Sequence, residues 1–129
     1  MSHHENRAVL DRMVSAMING DVESATAELA DDAVVEWPQS GERISGRQAC
    51  FTVYSNYPGG PPHYEVKRVS GGGDTFFVEA VGDYGGQKVY MTSVVEFRNG
   101  KIARQTEYFA DPFEPPAWRM EWVDRIEQA

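Results

Sequence analysis

Few side chains in this sequence have neighbours that would support chemistry. The single cysteine, Cys50, lies beside Phe51 with no histidine near it, so we interpret it as a buried structural thiol rather than a nucleophile. His63 opens a predicted strand, and no second histidine or cysteine stands at metal-ligand spacing from it. We therefore expect no zinc or iron site and no cofactor. The glycines at 71–73 and 85–86 lack the strand-to-helix setting of a phosphate loop.

The charge and length of the chain limit its partners. With 129 residues it suits one domain, over 1–129, that is large enough for a real core. Its net charge of −8 argues against nucleic acid and anionic membrane, because both bind basic surfaces. No apolar stretch approaches the roughly 20 residues that span a bilayer. One cysteine allows no internal disulfide, so we expect a cytoplasmic location.

The first half of the chain predicts three helices. A helix over 5–19 has one apolar stripe and ends at Asn19-Gly20. Asp21 predicts the cap of a second helix, which runs far enough to include Leu29. A strand over 33–37 follows, then a loop. The S-x-x-Q pattern from Ser45 to Gln48 resembles a capping box, which predicts a third helix from near Gly46. The stripe of the first helix consists of Leu10, Met13, Val14, Met17 and Ile18.

The second half predicts an antiparallel meander. Its four strands are joined by short glycine-containing turns, of which Asn99-Gly100 is the strongest hairpin signal. Pro115-Pro116 then predicts the start of a C-terminal helix, on which Trp118, Trp122 and Ile126 repeat every four residues. The expected fold class is α+β, with three N-terminal helices against a curved, mainly antiparallel sheet, plus a C-terminal helix. The four strands are predicted over 63–70, 75–84, 87–98 and 101–109.

This order of elements resembles the nuclear transport factor 2-like superfamily and, within it, the ketosteroid isomerases and SnoaL-like proteins. The similar segments run from Gly20 to Glu36, from Ser45 to Arg47 and from Phe97 to Ile102. The resemblance implies a cone with a ligand pocket between the helices and the concave face of the sheet. It places the following residues on the pocket side: Met13, Met17, Trp37, Tyr54, Ser93, Gln105, Glu107 and Phe109.

The catalytic residues of ketosteroid isomerases are not matched. Their aspartate base corresponds to Trp37, their helix tyrosine to Met13 and their aspartic acid donor to Ser93. Tyr54 alone matches a tyrosine of that family, where it plays a supporting role. Glu36 next to Trp37 should point to the other face by alternation. We therefore do not expect steroid isomerisation by that set of residues.

Two further branches of the superfamily were considered. Epoxide hydrolases of the limonene type need an aspartate–arginine–aspartate set, and Arg104 has the wrong parity and no inward aspartates. SnoaL-like cyclases use an acid near the end of the last strand, where Glu107 and Asp111 are the acids so placed. Either acid could carry a raised pKa and move protons. Alternatively, Glu107 pairs with an arginine such as Arg119, and Asp111 is a turn residue before Pro112.

Aromatic residues predict an apolar pocket for a flat organic ligand. Together with the resemblance to SnoaL-like proteins, this suggests an isomerase, cyclase or hydratase that acts on a small hydrophobic carbonyl compound. Glu107 or Asp111 would move protons in it, with Tyr54 and Gln105 as hydrogen-bond donors. A binding module without catalysis and a structural homodimer remain as alternatives. The resemblance implies a homodimer through the open face of the sheet, and the outward residues have the right parity for that face. The C-terminal helix with Trp118 is expected either to cover the pocket mouth or to pack on a second subunit. The aromatic set is Trp37, Tyr54, Tyr57, Phe109, Phe113, Trp118 and Trp122, and the outward set is Tyr90, Thr92, Val94, Thr106 and Tyr108.

Overall fold

The computed structural model describes residues 3–127 and has three helices on one six-stranded sheet. A short 3-10 helix, Ala117–Trp122, follows the last strand. Within residues 3–127, no helix combines the length and the apolar character needed to cross a membrane. In chain order the elements are α1 His3–Ile18, α2 Val22–Thr26, β1 Leu29–Trp37, β2 Glu42–Ser45, α3 Arg47–Ser55, β3 His63–Gly72, β4 Thr75–Tyr84, β5 Gln87–Arg98 and β6 Lys101–Ala110.

The sheet confirms the predicted fold class. Its strand order is β2-β1-β6-β5-β4-β3, and every neighbouring pair is antiparallel except the parallel pair β1 and β6. The sheet is curved and mixed, and it does not close into a barrel. The Asn99-Gly100 turn has positive φ at both residues, 52° and 77°, as the sequence predicts for a hairpin between β5 and β6.

The hydrophobic core lies between α1 and the concave face of the sheet. Leu10 of α1 is fully buried and belongs to one cluster with Phe76, Val95 and Ile102 of the strands. Phe76 and Phe97 pack edge to face with ring centroids 5.7 Å apart. This packing fixes α1 across the strands that carry the inward-facing polar residues.

The second helix is shorter than the sequence predicted. The Asp21 cap is confirmed, since its side chain accepts a hydrogen bond from the Ser24 N–H at 3.1 Å. The helix nevertheless ends at Thr26, and Leu29 begins β1. Leu29 pairs there with Ile102 of β6, so pairing across the sheet outweighs the local helical pattern.

The capping box and the loop before α3 were predicted wrongly. Ser45 belongs to β2 and pairs with Val34, so its hydroxyl does not cap α3. Gly46 takes the N-cap position with φ of 97° and no side-chain cap, and its N–H donates to the Ala33 carbonyl at 2.7 Å. The strand β2 forms because this segment folds back along β1. Its four residues contain only one apolar side chain, so the sequence pattern alone does not predict a strand there.

The C-terminal helix was also predicted wrongly in type and length. Pro116 precedes a six-residue 3-10 helix, and Ile126 lies beyond it. Trp118, Trp122 and Ile126 are 71%, 73% and 86% exposed. Within residues 3–127 this segment therefore lacks the packed surface that stabilises a longer amphipathic helix.

Leu10 provides a test of how α1 is held. We expect Leu10→Ala to lower the free energy of unfolding by about 2–5 kcal/mol, because it leaves a cavity in the core. Ile18→Ala on the same helix, where the side chain is 42% exposed, should cost less than about 1 kcal/mol. Urea denaturation of both variants checks this, and equal losses would contradict the described packing.

Candidate functional site

A cavity of about 460 Å³ lies between the helices and the concave face of the sheet. Its size falls within the range of small-molecule sites. Trp118 does not line it and lies on the exposed 3-10 helix instead. The other sequence-predicted site residues all line this cavity: Met13, Met17, Trp37, Tyr54, Ser93, Gln105, Glu107, Phe109 and Asp111.

The carboxyl group of Glu107 is held by two donors on one oxygen. The Trp37 indole Nε1–H donates to Glu107 Oε1 at 2.8 Å, and the Tyr54 hydroxyl donates to the same oxygen at 3.2 Å. Glu107 Oε2 has no such partner among the described residues, and it is not among the fully enclosed atoms that lack one. The expected pairing of Glu107 with Arg119 is wrong, and Arg119 instead stacks on Trp118. Glu107 Oε2 is thus left to face the cavity.

Burial changes the acidity of this carboxyl. Loss of hydration raises the pKa of Glu107 above its usual value, and the hydrogen bonds from Trp37 and Tyr54 lower it in part. The pKa of Tyr54 is raised well above its usual range by burial and by the nearby Glu107 charge, so its hydroxyl stays protonated. Glu107 is therefore a carboxyl with a raised pKa in the cavity lining, and Tyr54 remains a hydrogen-bond donor to it.

The end of β6 is clamped to the end of β1 beyond their last paired residues. The Gln39 side chain donates from Nε2 to the Phe109 carbonyl and accepts from the Phe109 N–H through Oε1. The Phe109 ring packs edge to face on Trp37, with centroids 6.3 Å apart. Trp37 and Glu107 are therefore held at a fixed separation even though they lie 70 positions apart in the sequence.

Two more polar side chains lie beside Glu107 on the concave face. Ser93 of β5 pairs in register with Glu107 of β6, and Gln105 lies two residues earlier on β6. Ser93 is only 3% exposed, and its hydroxyl oxygen is buried without a hydrogen-bond partner in the described chain. A buried hydroxyl with no partner is rare, and here it borders a cavity. Ser93 therefore holds an unused hydroxyl at the wall of the cavity next to Glu107, and its side chain would have to rotate to bring this enclosed oxygen to an entering atom.

Tyr64 and Tyr84 of the same cavity were missed from the sequence, whereas Tyr57 beside them was expected near the pocket. Tyr64 and Tyr84 lie with their hydroxyl oxygens 2.9 Å apart, and Tyr57 packs on Tyr84 with ring centroids 5.6 Å apart. All three residues line the cavity. Alternation along β3 could have found Tyr64, because it has the same parity as Val66, which packs against the core.

Glu36, Cys50 and Asp111 are the other candidate groups that the sequence offered. Glu36 bonds Arg43 at 2.7 Å and also Arg104, and Arg43 keeps the pKa of Glu36 below its usual value. This confirms that Glu36 points away from Trp37. Burial raises the pKa of the Cys50 thiol to about 11, which makes it a poor nucleophile. Asp111 borders the cavity but is exposed.

The lining of the cavity has an uneven distribution of charge. Among the lining residues, Glu107 and Asp111 are acids, and none is lysine, arginine or histidine. An anionic ligand would therefore meet two acids and no counter-charge. Within residues 3–127, no three acidic, histidine or cysteine side chains converge as a metal site would require.

The sequence matches the family model described as the SnoaL-like domain over residues 10–105. The chain belongs to the SnoaL-like domain family. No match was found among curated proteins. An NTF-2 like protein of unknown function from Burkholderia xenovorans LB400 is 40% identical, with a TM-score of 0.86, and the match covers 96% of this chain and 97% of that one.

Two other solved structures extend this likeness across the superfamily. A candidate ketosteroid isomerase from Kribbella flavida is 26% identical, with a TM-score of 0.89 over 98% of this chain and 93% of its own. An epoxide hydrolase of limonene type from Mycobacterium tuberculosis is 24% identical, with a TM-score of 0.66 over 84% of each chain. The second likeness shows the fold alone. The nuclear transport factor 2-like assignment made from the sequence is confirmed.

The raised pKa of Glu107 predicts that the free energy of unfolding of this SnoaL-like domain depends on pH. As pH rises above about 4.3, the unfolded chain releases the Glu107 proton before the folded chain does, so this group lowers stability until it also ionises when folded. Glu107→Gln removes that fall while its amide oxygen can still accept from Trp37. We expect the variant to gain stability over wild type as pH rises, measured by urea denaturation at several pH values.

A matched control separates this effect from general charge. Glu114→Gln removes one negative charge from an exposed position outside the cavity lining. It should not show the gain that grows with pH. If the stability difference between Glu107→Gln and wild type were the same at every pH, burial would not raise the pKa of the Glu107 carboxyl.

Proposed function

We propose that this protein binds a small, uncharged, flat carbonyl compound in its cavity and moves a proton on it with Glu107. The observation that carries the proposal is the Glu107 carboxyl, held on Oε1 by Trp37 and Tyr54 with Oε2 towards an apolar cavity. The raised pKa brings this acid closer to neutral pH, where a general base works best. The absence of basic side chains from the lining favours an uncharged ligand.

The proposed step is an enolisation that balances without a cofactor. Glu107 Oε2 takes a proton from the carbon next to the carbonyl, and the electron pair of that C–H bond moves to form an enolate. The Ser93 hydroxyl, which is enclosed and lacks a partner, rotates towards the cavity and donates a hydrogen bond to the enolate oxygen. The proton then returns from Glu107 to the same carbon or to a conjugated one, which completes an exchange or an isomerisation.

A second candidate function is ligand binding without catalysis. It is favoured by Trp37, Met13 and Ser93 at the positions where the resemblance to ketosteroid isomerases would place a base and two donors. In that case the bond from Trp37 to Glu107 serves to satisfy a buried indole N–H. The two functions share the cavity and differ in whether a bound carbonyl compound loses a proton.

Deuterium exchange distinguishes the two functions. 2-Acetonaphthone is a flat apolar ketone whose methyl protons lie next to the carbonyl, and their exchange in D₂O is followed by proton NMR. We expect the wild type to accelerate the exchange and Glu107→Gln to reduce it by about 100-fold or more. Tyr54→Phe should reduce it by about tenfold, because one of the two bonds that hold the carboxyl is lost.

Calorimetric titration of the same ketone supplies the control. Glu107→Gln should still bind it, since the apolar lining is unchanged. Binding by wild type without any acceleration of exchange would establish the non-catalytic function instead. Neither binding nor exchange with wild type would overturn the proposal as a whole.

We also propose a homodimer formed through the outer face of the sheet. Phe77 and Tyr108 are 45% and 46% exposed on that face, and a second subunit would remove these apolar rings from water. Tyr108→Arg should convert the dimer to a monomer without loss of secondary structure, measured by light scattering after gel filtration. A wild type that elutes as a monomer would contradict this proposal.

A cytoplasmic location is proposed on the chemistry of the cysteine. Cys50 is free and fully buried in the core cluster. A thiol-containing core without disulfides suits a reducing compartment.

A further inference from the structure

The Tyr64 and Tyr84 side chains form a hydroxyl pair that the proposed proton transfer does not use. Their oxygens are 2.9 Å apart, and their rings meet edge to face with centroids 6.2 Å apart. Both residues line the cavity that contains Glu107. The pair lies on the last two strands of the sheet, β3 and β4, whereas Glu107 lies on β6.

The chain makes room for this pair with a glycine. A Cβ atom on Gly82 would lie 2.6 Å from Cε1 of Tyr84 and 3.1 Å from Cε1 of Tyr64. Gly82 is buried in β4 and pairs with Tyr64 across the strands. Its backbone has no positive φ, so the glycine is required by the close approach of both rings. The two rings therefore pack directly against Gly82, and a side chain at position 82 would occupy their space.

A hydroxyl pair keeps one hydrogen for a further acceptor. One of the two hydroxyls donates to the other, and the accepting hydroxyl retains its own hydrogen. If the Tyr57 hydroxyl joined the same series of hydrogen bonds, one hydroxyl hydrogen would still remain without an acceptor. Burial raises the pKa of Tyr84 to about 12 and that of Tyr64 further, so both stay protonated near neutral pH. The group can donate to an oxygen atom of a ligand.

The pair lies apart from the reacting group along the sheet. Ser93, the neighbour of Glu107, pairs with Val78 of β4, and Gly82 lies four residues further along that strand. The backbone of Gly82 is thus about 13 Å from that of Glu107 along the strands and about 10 Å from it across them. The Glu107 charge contributes to the raised pKa of both tyrosines, which agrees with one shared cavity. Apolar residues such as Val78, Ala80 and Met91 line the cavity as well.

We propose that the Tyr64–Tyr84 hydroxyl pair binds a second oxygen of the ligand. The ligand is then an uncharged compound with a carbonyl beside Glu107 and Ser93, a flat apolar body, and a hydroxyl or second carbonyl at its far end. This inference rests on the proposed function, since it names the substrate class for the same cavity. Tyr64 and Tyr84 act here in binding and specificity.

A matched pair of ketones tests the inference. 2-Acetonaphthone has only the ketone oxygen, and 6-hydroxy-2-acetonaphthone adds a hydroxyl at the far end of the same ring system. Calorimetric titration gives the dissociation constant of each compound with wild type, with the double variant Tyr64→Phe/Tyr84→Phe and with Tyr108→Phe. Tyr108 lies outside the cavity lining and is 46% exposed, so its variant controls for the loss of a tyrosine hydroxyl.

The expected result is a preference for the hydroxyketone that depends on the pair. Wild type and Tyr108→Phe should bind it about tenfold more tightly than the simple ketone, as one added hydrogen bond implies. The double variant should lose the preference and keep its affinity for the simple ketone. Equal binding of the two ketones by wild type, or a preference that survives in the double variant, overturns the inference and leaves the proposed function standing. Binding of neither ketone by wild type overturns both.

Gly82→Ala gives a second variant that keeps both hydroxyl groups. The added Cβ should displace the tyrosine rings, so the preference for the hydroxyketone should fall towards onefold. Far-UV circular dichroism checks that the sheet has formed. A folded Gly82→Ala protein with an undiminished preference would show that the seating of the pair does not matter for binding.

Discussion

The site depends on two hydrogen bonds that converge on one oxygen of a buried carboxyl. Glu107 lies in an apolar cavity, where an ionised carboxylate is costly unless donors surround it. The Trp37 indole and the Tyr54 hydroxyl supply two such donors to Oε1. Because both act on the same oxygen, they set the direction of Oε2 towards the cavity. The arrangement orients the carboxyl, and the cavity lining has no basic side chain that would neutralise it.

Three separate elements must be placed correctly for those bonds to form. Trp37 ends β1, Tyr54 lies in α3 and Glu107 lies near the end of β6. The parallel pairing of β1 with β6 and the bonds between Gln39 and Phe109 fix two of them. The contacts of α3 with β1 and the burial of Cys50 fix the third. The core around Leu10 and Phe76 is thus the support of the site as well as of the fold.

In the proposed function, the fold uses different positions for chemistry from those of the isomerases it resembles. Trp37 occupies the position of their base and donates a hydrogen bond here, whereas the acid has moved to β6. Ser93 occupies the position of their protonated aspartic acid and keeps an unpartnered hydroxyl. One scaffold can therefore present a carboxyl and a donor to the same cavity from different strands. Likeness of fold alone would have suggested the wrong residues.

Local chemistry explains which elements could be predicted from the sequence. The bounds of β4 and β5 are confirmed, because glycine turns and Asn99-Gly100 mark them independently of the rest of the chain. Leu29 and β2 were misassigned because their state depends on pairing with distant strands. The resemblance placed Gln105 on the pocket side, alternation along the strand placed Glu107 with it, and both line the cavity.

The partners within the site could not be predicted in the same way. The sequence suggested Arg119 for Glu107, since both are charged, but the structure brings Trp37 and Tyr54 to it. Contacts across 70 and 53 positions depend on packing that no local pattern records. Tyr64 and Tyr84 could have been placed on the inward face by parity, but their meeting over Gly82 depends on the register of β3 and β4.

A titration of Glu107 by carbon NMR tests the central claim most directly. Its side-chain carboxyl carbon is followed against pH together with the indole N–H proton of Trp37, with Glu107→Gln used to assign both signals. Because Glu107 is buried and bonded to Trp37, we expect its carboxyl carbon to titrate above the ordinary glutamate value of about 4.3. The Trp37 N–H proton should shift in the same transition. A Glu107 carbon that titrates together with the exposed glutamates, or a Trp37 signal that does not shift in that transition, would contradict the described burial and bonding of Glu107.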